Sequence, residues 1–489
     1  MSRRAFIGLA AAAALTVTSA VPVVAQEVSA PFPSAQFPLG ERGIPAKTQK
    51  SVTSGIDLYT VSTGTAKDGY TVTVLMPSGR DYGMRETAEA KAAEVEAAGQ
   101  TASVQKVIRP AAADDPAEEI YMVRVGLWPF KDKAKADEAA KALTDAGVKA
   151  RADYLGDDGL KTTGPWEMQV LTIDPRGFRG SYAASLGVSV GKRETTSSMA
   201  KAQNAIAAVN GGFFNIHTSP ALRGEPLGIS VVRGRMLSEA VPGRSALVLK
   251  GRTARVTELK STVVAVSQDG NRLDVNGVNR LPVADELVLY TEEYGVKTPA
   301  DGGAEAILDA TGKVTALRQA GGAVPAGSRV LHGSGTAADW MWEHAFENWT
   351  INVDTKVIDE RTGRRVVLTP DVSIIGGGVG LVRNGRIRVT AKRDGHDSVN
   401  MILRRHPRTL AGVTRSGGLI LATVDGRKPG ITVGANMIEA AQLMKWLGAV
   451  QAINLDGGGS TAMVVGGKVV NKPSDGGERA VGDALLILP

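Results

Sequence analysis

From Gly164 onward the chain is a succession of strand-like apolar runs cut by glycine turns. WEMQVLTI (Trp166–Ile173), AIAAVNGGFF (Ala205–Phe214), GRSALVLK (Gly243–Lys250) and ELVLYT (Glu286–Thr291) are examples. Two stretches keep helical apolar spacing instead, Ser197–Asn204 and Ala435–Leu447. Runs of strands with few helices predict an α+β fold with a large mixed sheet over residues 165–489. Residues 252–334, with turns at DGN, NGV and DATGK, read as a β-rich insertion. Trp340, Trp342 and Trp349 follow it and are expected in a core rather than on a sugar-stacking platform.

The N-terminal part carries a duplication. Tyr70–Pro77 alternates like a strand, Arg85–Ala98 is helical up to Gly99, and Thr101–Ile108 alternates again. Tyr121–Phe130, Lys131–Ala146 with Gly147, and Val148–Tyr154 repeat that order. The result is a βαββαβ, ferredoxin-like unit. Before it, residues 26–67 are rich in Pro, Gly, Ser, Thr and Ala and read as a linker with one strand near Gly55–Val61. Residues 1–25 place Arg3 and Arg4 ahead of an apolar run that ends in Val23-Val24-Ala25. That is the pattern of a cleaved twin-arginine export signal, too short for a span of roughly 20 residues. A secreted or cell-wall location follows, with no transmembrane segment after cleavage.

With no cysteine, disulfides, thiolate metal sites and cysteine nucleophiles are excluded. The net charge is +7, with no concentrated basic stripe, which argues against a nucleic-acid partner.

Chemistry concentrates at strand ends. AINLDGGGSTAM (Ala452–Met463) drops from a buried strand into glycines. Its Asp456 can act as acid or base, and amides near Gly457 and Gly458 can meet an anionic oxygen. Ser460 and Thr461 add hydroxyls. AVNGGFFN offers Asn210 for hydrogen bonding, Gly211 for close approach, and Phe213 or Phe214 as a sugar wall. Arg408 in RHPRTLAGVT suits bidentate phosphate binding, with Thr409 beside it. VDGRKPG reads as a hairpin turn at Asp425-Gly426. Glu439 falls in the first turn of the Ala435 helix, its default place near a positive helix end. Ser474, Asp475 and Arg479 share a late loop.

Taken in order, AVNGGFFN, RHPRTLAGVT, VDGRKPG and AINLDGGGSTAMVVGGKVVNKPSDGGERAVGDALLI resemble the phosphodiester glycosidase family. Its best-known members uncover mannose 6-phosphate by removing an N-acetylglucosamine cap. The resemblance implies hydrolysis of a sugar-1-phosphodiester at the anomeric carbon. For that reaction residue chemistry makes Asp456 the first candidate carboxylate, to activate water or attack the anomeric carbon, with Glu439 and Asp475 competing for the second role. Arg408 and the Gly457–Ser460 amides would then hold phosphate, with Asn210, Thr409 and Ser460 as further contacts. The segment ITVGANMIEAAQLM departs from the family pattern around Glu439. Separately, VRVGLWPFKDKAKADEAAKALTDAGVKA resembles the sporulation-related repeat (SPOR) domain. That implies peptidoglycan binding by residues 68–156. No cofactor or metal is required, although Asp425, Asp456 and Asp475 are a conceivable calcium set without EF-hand spacing.

Two other readings compete. Ser460 in GGSTA approximates a nucleophile elbow and would need His396 or His406 as base. Alternatively the large domain is a non-catalytic carbohydrate-binding scaffold.

Overall fold

The strand Leu419–Val424 is buried at every position, because both its faces are covered. In the computed structural model, which describes residues 32–41, 43–217 and 220–489, it lies inside an eight-stranded antiparallel sheet. The order is Ala46–Thr53, Ile56–Thr63, Trp166–Ile173, Leu419–Val424, Arg408–Thr414, Ala449–Asn454, Val379–Arg383, Arg386–Ile387. A five-stranded sheet runs Lys468–Val469, Met463–Val465, Ala207–Asn210, Ala484–Leu488, Ser181–Ser185. The two share one core through Leu171, Val209, Leu421, Ile453, Leu485 and Ile487. Each such side chain contributes about 1.5–3 kcal/mol by leaving water. The helix Met437–Trp446 covers the other face of the larger sheet, and a side chain at Gly412 would strike its Met444.

The expected export signal, residues 1–25, lies outside the described residues. The expected linker is in large part structure. Ala46–Thr53 and Ile56–Thr63 form a hairpin turned at Gly55, and the second strand pairs with Trp166–Ile173 along its whole length. Ile56, Leu58, Tyr59 and Val61 are buried there. Four apolar residues suffice for a strand paired on both sides, even among serines and threonines. Phe37 sits against Trp166 and Trp446, with ring centroids 5.8 and 5.4 Å away.

The insertion is rooted in a strand rather than a loop. Thr253–Ser267 pairs first with Ser245–Lys250 and then with Ile351–Asp359. Beyond it, Gly277–Val278, Leu287–Thr291, Arg329–Gly333, Ala304–Leu308 and Val314–Gln319 form a five-stranded sheet. The helix Thr336–His344 closes its core. Trp340 packs on that core, whereas Trp342 on the same helix is exposed and Trp349 meets Phe346 at 4.8 Å.

In the N-terminal unit the strand order is Ala102–Arg109, Glu118–Trp128, Tyr70–Val74, Ala150–Tyr154, all antiparallel. The helices Arg85–Ala97 and Lys133–Asp145 cover one face through Ala88, Val95, Ala140 and Leu143. Val107, Ile120 and Met122 on this sheet pack against Val399 and Leu403, which belong to the short helix Val399–Leu403. The unit is therefore docked on the large sheet structure. Among the described residues no helix is long and apolar enough to cross a membrane.

Candidate active site

Five strand ends meet at one rim. Arg408 pairs with Val424, Leu410 with Asn454, and Asn210 with Ala484, so the segments flanking these residues are neighbours. Asn210 ties them together. Its Nδ2 donates to the Asp456 carbonyl at 2.9 Å, and its Oδ1 accepts from Thr409 Oγ1 at 2.6 Å and from the Ala462 amide at 3.1 Å. Asn210 and Thr409 are fully buried. Expected to touch substrate, they have their polar groups engaged in fastening the turn to the sheet.

The turn is a 3₁₀ segment, Gly458–Ser460, with Gly458 at φ +60°. Its amides are less available than expected. Gly457 N donates to Asp456 Oδ1 at 2.8 Å, Gly458 N to the Pro407 carbonyl at 2.8 Å, and Ser460 N to the Gly457 carbonyl at 3.1 Å. The anion-binding capacity lies instead in two arginines over the glycines. A side chain on Gly458 would stand 3.1 Å from Arg427 Nη1, and one on Gly459 would overlap the Arg479 guanidinium and the Asp475 carboxylate. Gly458 and Gly459 must be small because charged groups sit directly on this backbone, and Gly457 because the Pro407 carbonyl does.

Arg427 is one residue that sequence reasoning missed. It is exposed, yet its backbone is held at φ +56°, a region costing a non-glycine residue about 1–3 kcal/mol. Its guanidinium donates to His406 Nδ1 at 3.1 Å, and His406 Nε2 lies 3.0 Å from Asn400 Oδ1. An arginine can only donate, so Nδ1 is the acceptor and the proton sits on Nε2. Burial, with Arg408 and Arg427 alongside, lowers the imidazole to about 2, which keeps it neutral in this role. Inside VDGRKPG the arginine looked like part of a hairpin turn; the one available signal was a large cation in a glycine-rich strand end.

Arg408 is turned inward and is 2% exposed. Nε donates to the Ala435 carbonyl at 2.9 Å and Nη2 to the Met401 carbonyl at 3.0 Å. It does not reach out to grip phosphate as expected. It remains a buried cation: burial and Arg427 lower it to about 9, still protonated at neutral pH.

The carboxylates sort clearly. Asp456 is half-buried. Burial raises it to about 6, while the Ser460 hydroxyl, the Gly457 amide, Arg479 and Arg408 restrain the rise. Asp483, which the sequence gave no reason to single out, is nearly inaccessible and accepts from Gly212 N at 2.8 Å. Burial and the Asp456 charge lift it to about 7. Gly211 lies between the two, donating its amide to the Asp483 carbonyl and accepting from Asp456 N. A side chain on Gly211 would collide with Asp483 Oδ1.

Glu439, expected to compete for the second catalytic role, is engaged within the fold. It completes a capping box with Asn436 and receives Arg405 through both oxygens at 2.7 to 3.0 Å, which leaves no free edge. Asp475 is close to the turn but ion-paired to Arg479. Burial pushes it up, yet Arg479 prevails and its carboxyl stays below the usual range. It orients the arginine and is a poor proton acceptor.

Phe213 and Phe214 part ways. Phe214 is core, packed with Met199, Val481 and Leu486. Phe213 is half-buried and stacks on His396 at 4.4 Å, with a 29° angle between the rings. Burial lowers His396 to about 4, so this surface is neutral. Ser460 and Thr461 are buried beneath the turn. Neither His396 nor His406 hydrogen-bonds Ser460, so the serine-hydrolase arrangement is not assembled. Asp425 accepts from Asn471 Nδ2 and Lys472 N, and with Asp475 paired to Arg479 the three aspartates do not form one donor set. Among the described residues no group of three His, Asp or Glu side chains is placed to hold a metal ion.

Comparison with known proteins adds to this geometry. Residues 302–488 match the family model described as phosphodiester glycosidase. A prophage-derived protein of Bacillus subtilis is 38% identical over 110 residues, 22% of this chain and 16% of that protein. The mouse N-acetylglucosamine-1-phosphodiester alpha-N-acetylglucosaminidase is 35% identical over 119 residues, 22% of each chain. The alignments thus span only about a fifth of the curated relatives' length. A solved structure of a Burkholderia pseudomallei protein designated as exported is 28% identical with a TM-score of 0.81, over 94% of this chain and 99% of that one. Together these findings support a relationship of the C-terminal region, residues 302–488, to the phosphodiester glycosidase family.

Proposed function

We propose that the protein hydrolyses a sugar 1-phosphodiester, of the N-acetylglucosamine-1-phosphodiester kind, at the anomeric carbon. One observation carries this reading: a carboxylate raised toward neutrality, Asp456, shares a glycine turn with two arginines, Arg427 over Gly458 and Arg479 over Gly459. Arg427 and Arg479 hold the phosphate and stabilise the charge it gains on leaving. Asp456 takes a proton from water as the water oxygen bonds to the anomeric carbon. The bond from that carbon to the phosphate oxygen breaks, and its electron pair departs with the phosphomonoester. A phosphate leaving group needs little protonation, so one ionised base suffices. Asp483 stays neutral below about pH 7, so the Asp456–Asp483 pair presents one negative charge, that of Asp456, to the anionic substrate. Phe213 offers a flat wall for the sugar.

The export pattern and the exported structural relative favour a cell-envelope glycopolymer as substrate. Peptidoglycan binding by residues 68–156 belongs to the same proposal and would use the helical face, since the sheet carries docked contacts. The test is incubation of the purified protein with a synthetic N-acetylglucosamine 1-phosphodiester. Equal release of free sugar and phosphomonoester is expected. Absence of both products from pH 5 to 8 overturns the reading.

A further inference from the structure

We infer that the N-terminal βαββαβ unit is a working part of the candidate site, with Arg404 and Arg405 as positioning residues that clamp the Arg427 anchor. This rests on the phosphodiester reading above. The unit reaches the site along two routes, each through buried polar contacts.

The first route holds the segment that ends in His406. Arg404 is buried and meets Asp153 of the N-terminal sheet through Nη1 at 3.2 Å and through Nη2. Its Nε lies 2.8 Å from Asp81 Oδ2. Asp153 is fixed in turn by Thr73 Oγ1 at 2.7 Å and Arg124 Nη1 at 3.0 Å. Arg405 donates from Nη1 to the Gly156 carbonyl at 2.9 Å and from Nη2 to the Leu160 carbonyl at 2.6 Å. Its backbone amide donates to the Asp157 carbonyl at 3.0 Å. His406, the acceptor that orients Arg427, follows directly in the chain.

The second route holds the loop that carries Arg427 itself. Gly430 N donates to Tyr154 Oη at 3.4 Å. A side chain on Gly430 would overlap the Phe130 ring, and one on Gly156 would strike Val433. Tyr70, Phe130 and Tyr154 pack together with centroids 5.4 to 6.0 Å apart, so this wall is rigid. A tether that merely carried an enzyme would need a linker and few contacts. Here both supports of one strained arginine rest on the N-terminal unit.

The test compares wild-type full-length protein with Arg404→Gln, Arg404→Lys and Asp81→Asn. It reads KM and kcat on the phosphodiester, and inorganic phosphate affinity by calorimetry. Arg404→Gln should raise KM and weaken phosphate binding by about tenfold, with kcat changed much less. Arg404→Lys should recover part of the loss. Asp81→Asn keeps the Asp153 pair and serves if Arg404→Gln does not fold. A purely structural role would lower the melting temperature and leave both affinities within about twofold; that result overturns the inference. Wild-type protein that binds phosphate yet releases no sugar would instead sink the proposed function and leave the clamp testable by calorimetry.

Discussion

One buried acid under the N-terminal sheet, Asp153, and two at the glycine turn behave in opposite ways. Under the N-terminal sheet, burial pushes Asp153 toward its neutral form, but Arg404 and Arg124 outweigh it and hold the carboxyl well below the usual range. At the glycine turn burial prevails, and Asp456 and Asp483 rise to about 6 and about 7. The difference is pairing. Asp153 has two guanidiniums and a threonine hydroxyl on its oxygens. Asp483 accepts from Gly212 N, and the Asp456 oxygens receive Gly457 N with no ion pair. An acid saturated with cations holds structure together. An acid short of partners exchanges its proton near neutral pH, which catalysis requires.

The comparison breaks most sharply at Asp456. Asp456→Asn is expected to lower kcat by about 10²–10⁴-fold without lowering the melting temperature. Turnover at the wild-type rate would remove Asp456 from the chemistry. Asp153→Ala should do the reverse and cost roughly 3–5 kcal/mol of stability at pH 7, because it strands buried arginine charge. Denaturant titration checks this, and a loss well under 1 kcal/mol would show that the pair is idle.

The smallest effect concerns the sign of the pH dependence. Asp483 has an ordinary value of 3.8 and a folded value of about 7, so the folded state holds its proton more tightly. Stability from this group is therefore greatest below about pH 4 and falls as pH rises toward 7. Asp153 has the opposite sign: its contribution is present above the ordinary carboxylate range and is lost as pH falls through its depressed value. Asp483→Asn keeps an acceptor for Gly212 and removes the charge. It should stabilise the protein at pH 8 by on the order of 1–3 kcal/mol and leave pH 4 unchanged. An equal gain at both pH values would dismiss the charge as the cause.

Much of this was legible in the sequence where the cause is local. The strand–glycine alternation reads directly as sheets, and Asp456 stands out because a buried strand running into three glycines is a local pattern. The structural role of Glu439 is also local: with Asn436 three residues earlier it makes a capping box. Arg408 misled because residue type says nothing about direction, and this side chain turns toward carbonyls of its own fold. Asp483 and Arg427 were hidden for a different reason. Each gains meaning only from neighbours distant in the chain, Asp456 for one and Gly458 with His406 for the other. Pairing of Asn210 with Ala484, and of Arg408 with Val424, creates those neighbourhoods. The hairpin at 46–63 likewise gained its place from Trp166–Ile173, not from its own composition.

The most direct test of the idea that unpaired carboxylates run this site is the pH dependence of kcat/KM on a sugar 1-phosphodiester, for wild type and Asp483→Asn. Activity should climb near pH 6 as Asp456 ionises and decline near pH 7 as Asp483 adds a second negative charge. The decline should be missing in Asp483→Asn. A wild-type profile flat from pH 5 to 8, or an identical decline in the variant, would contradict the account.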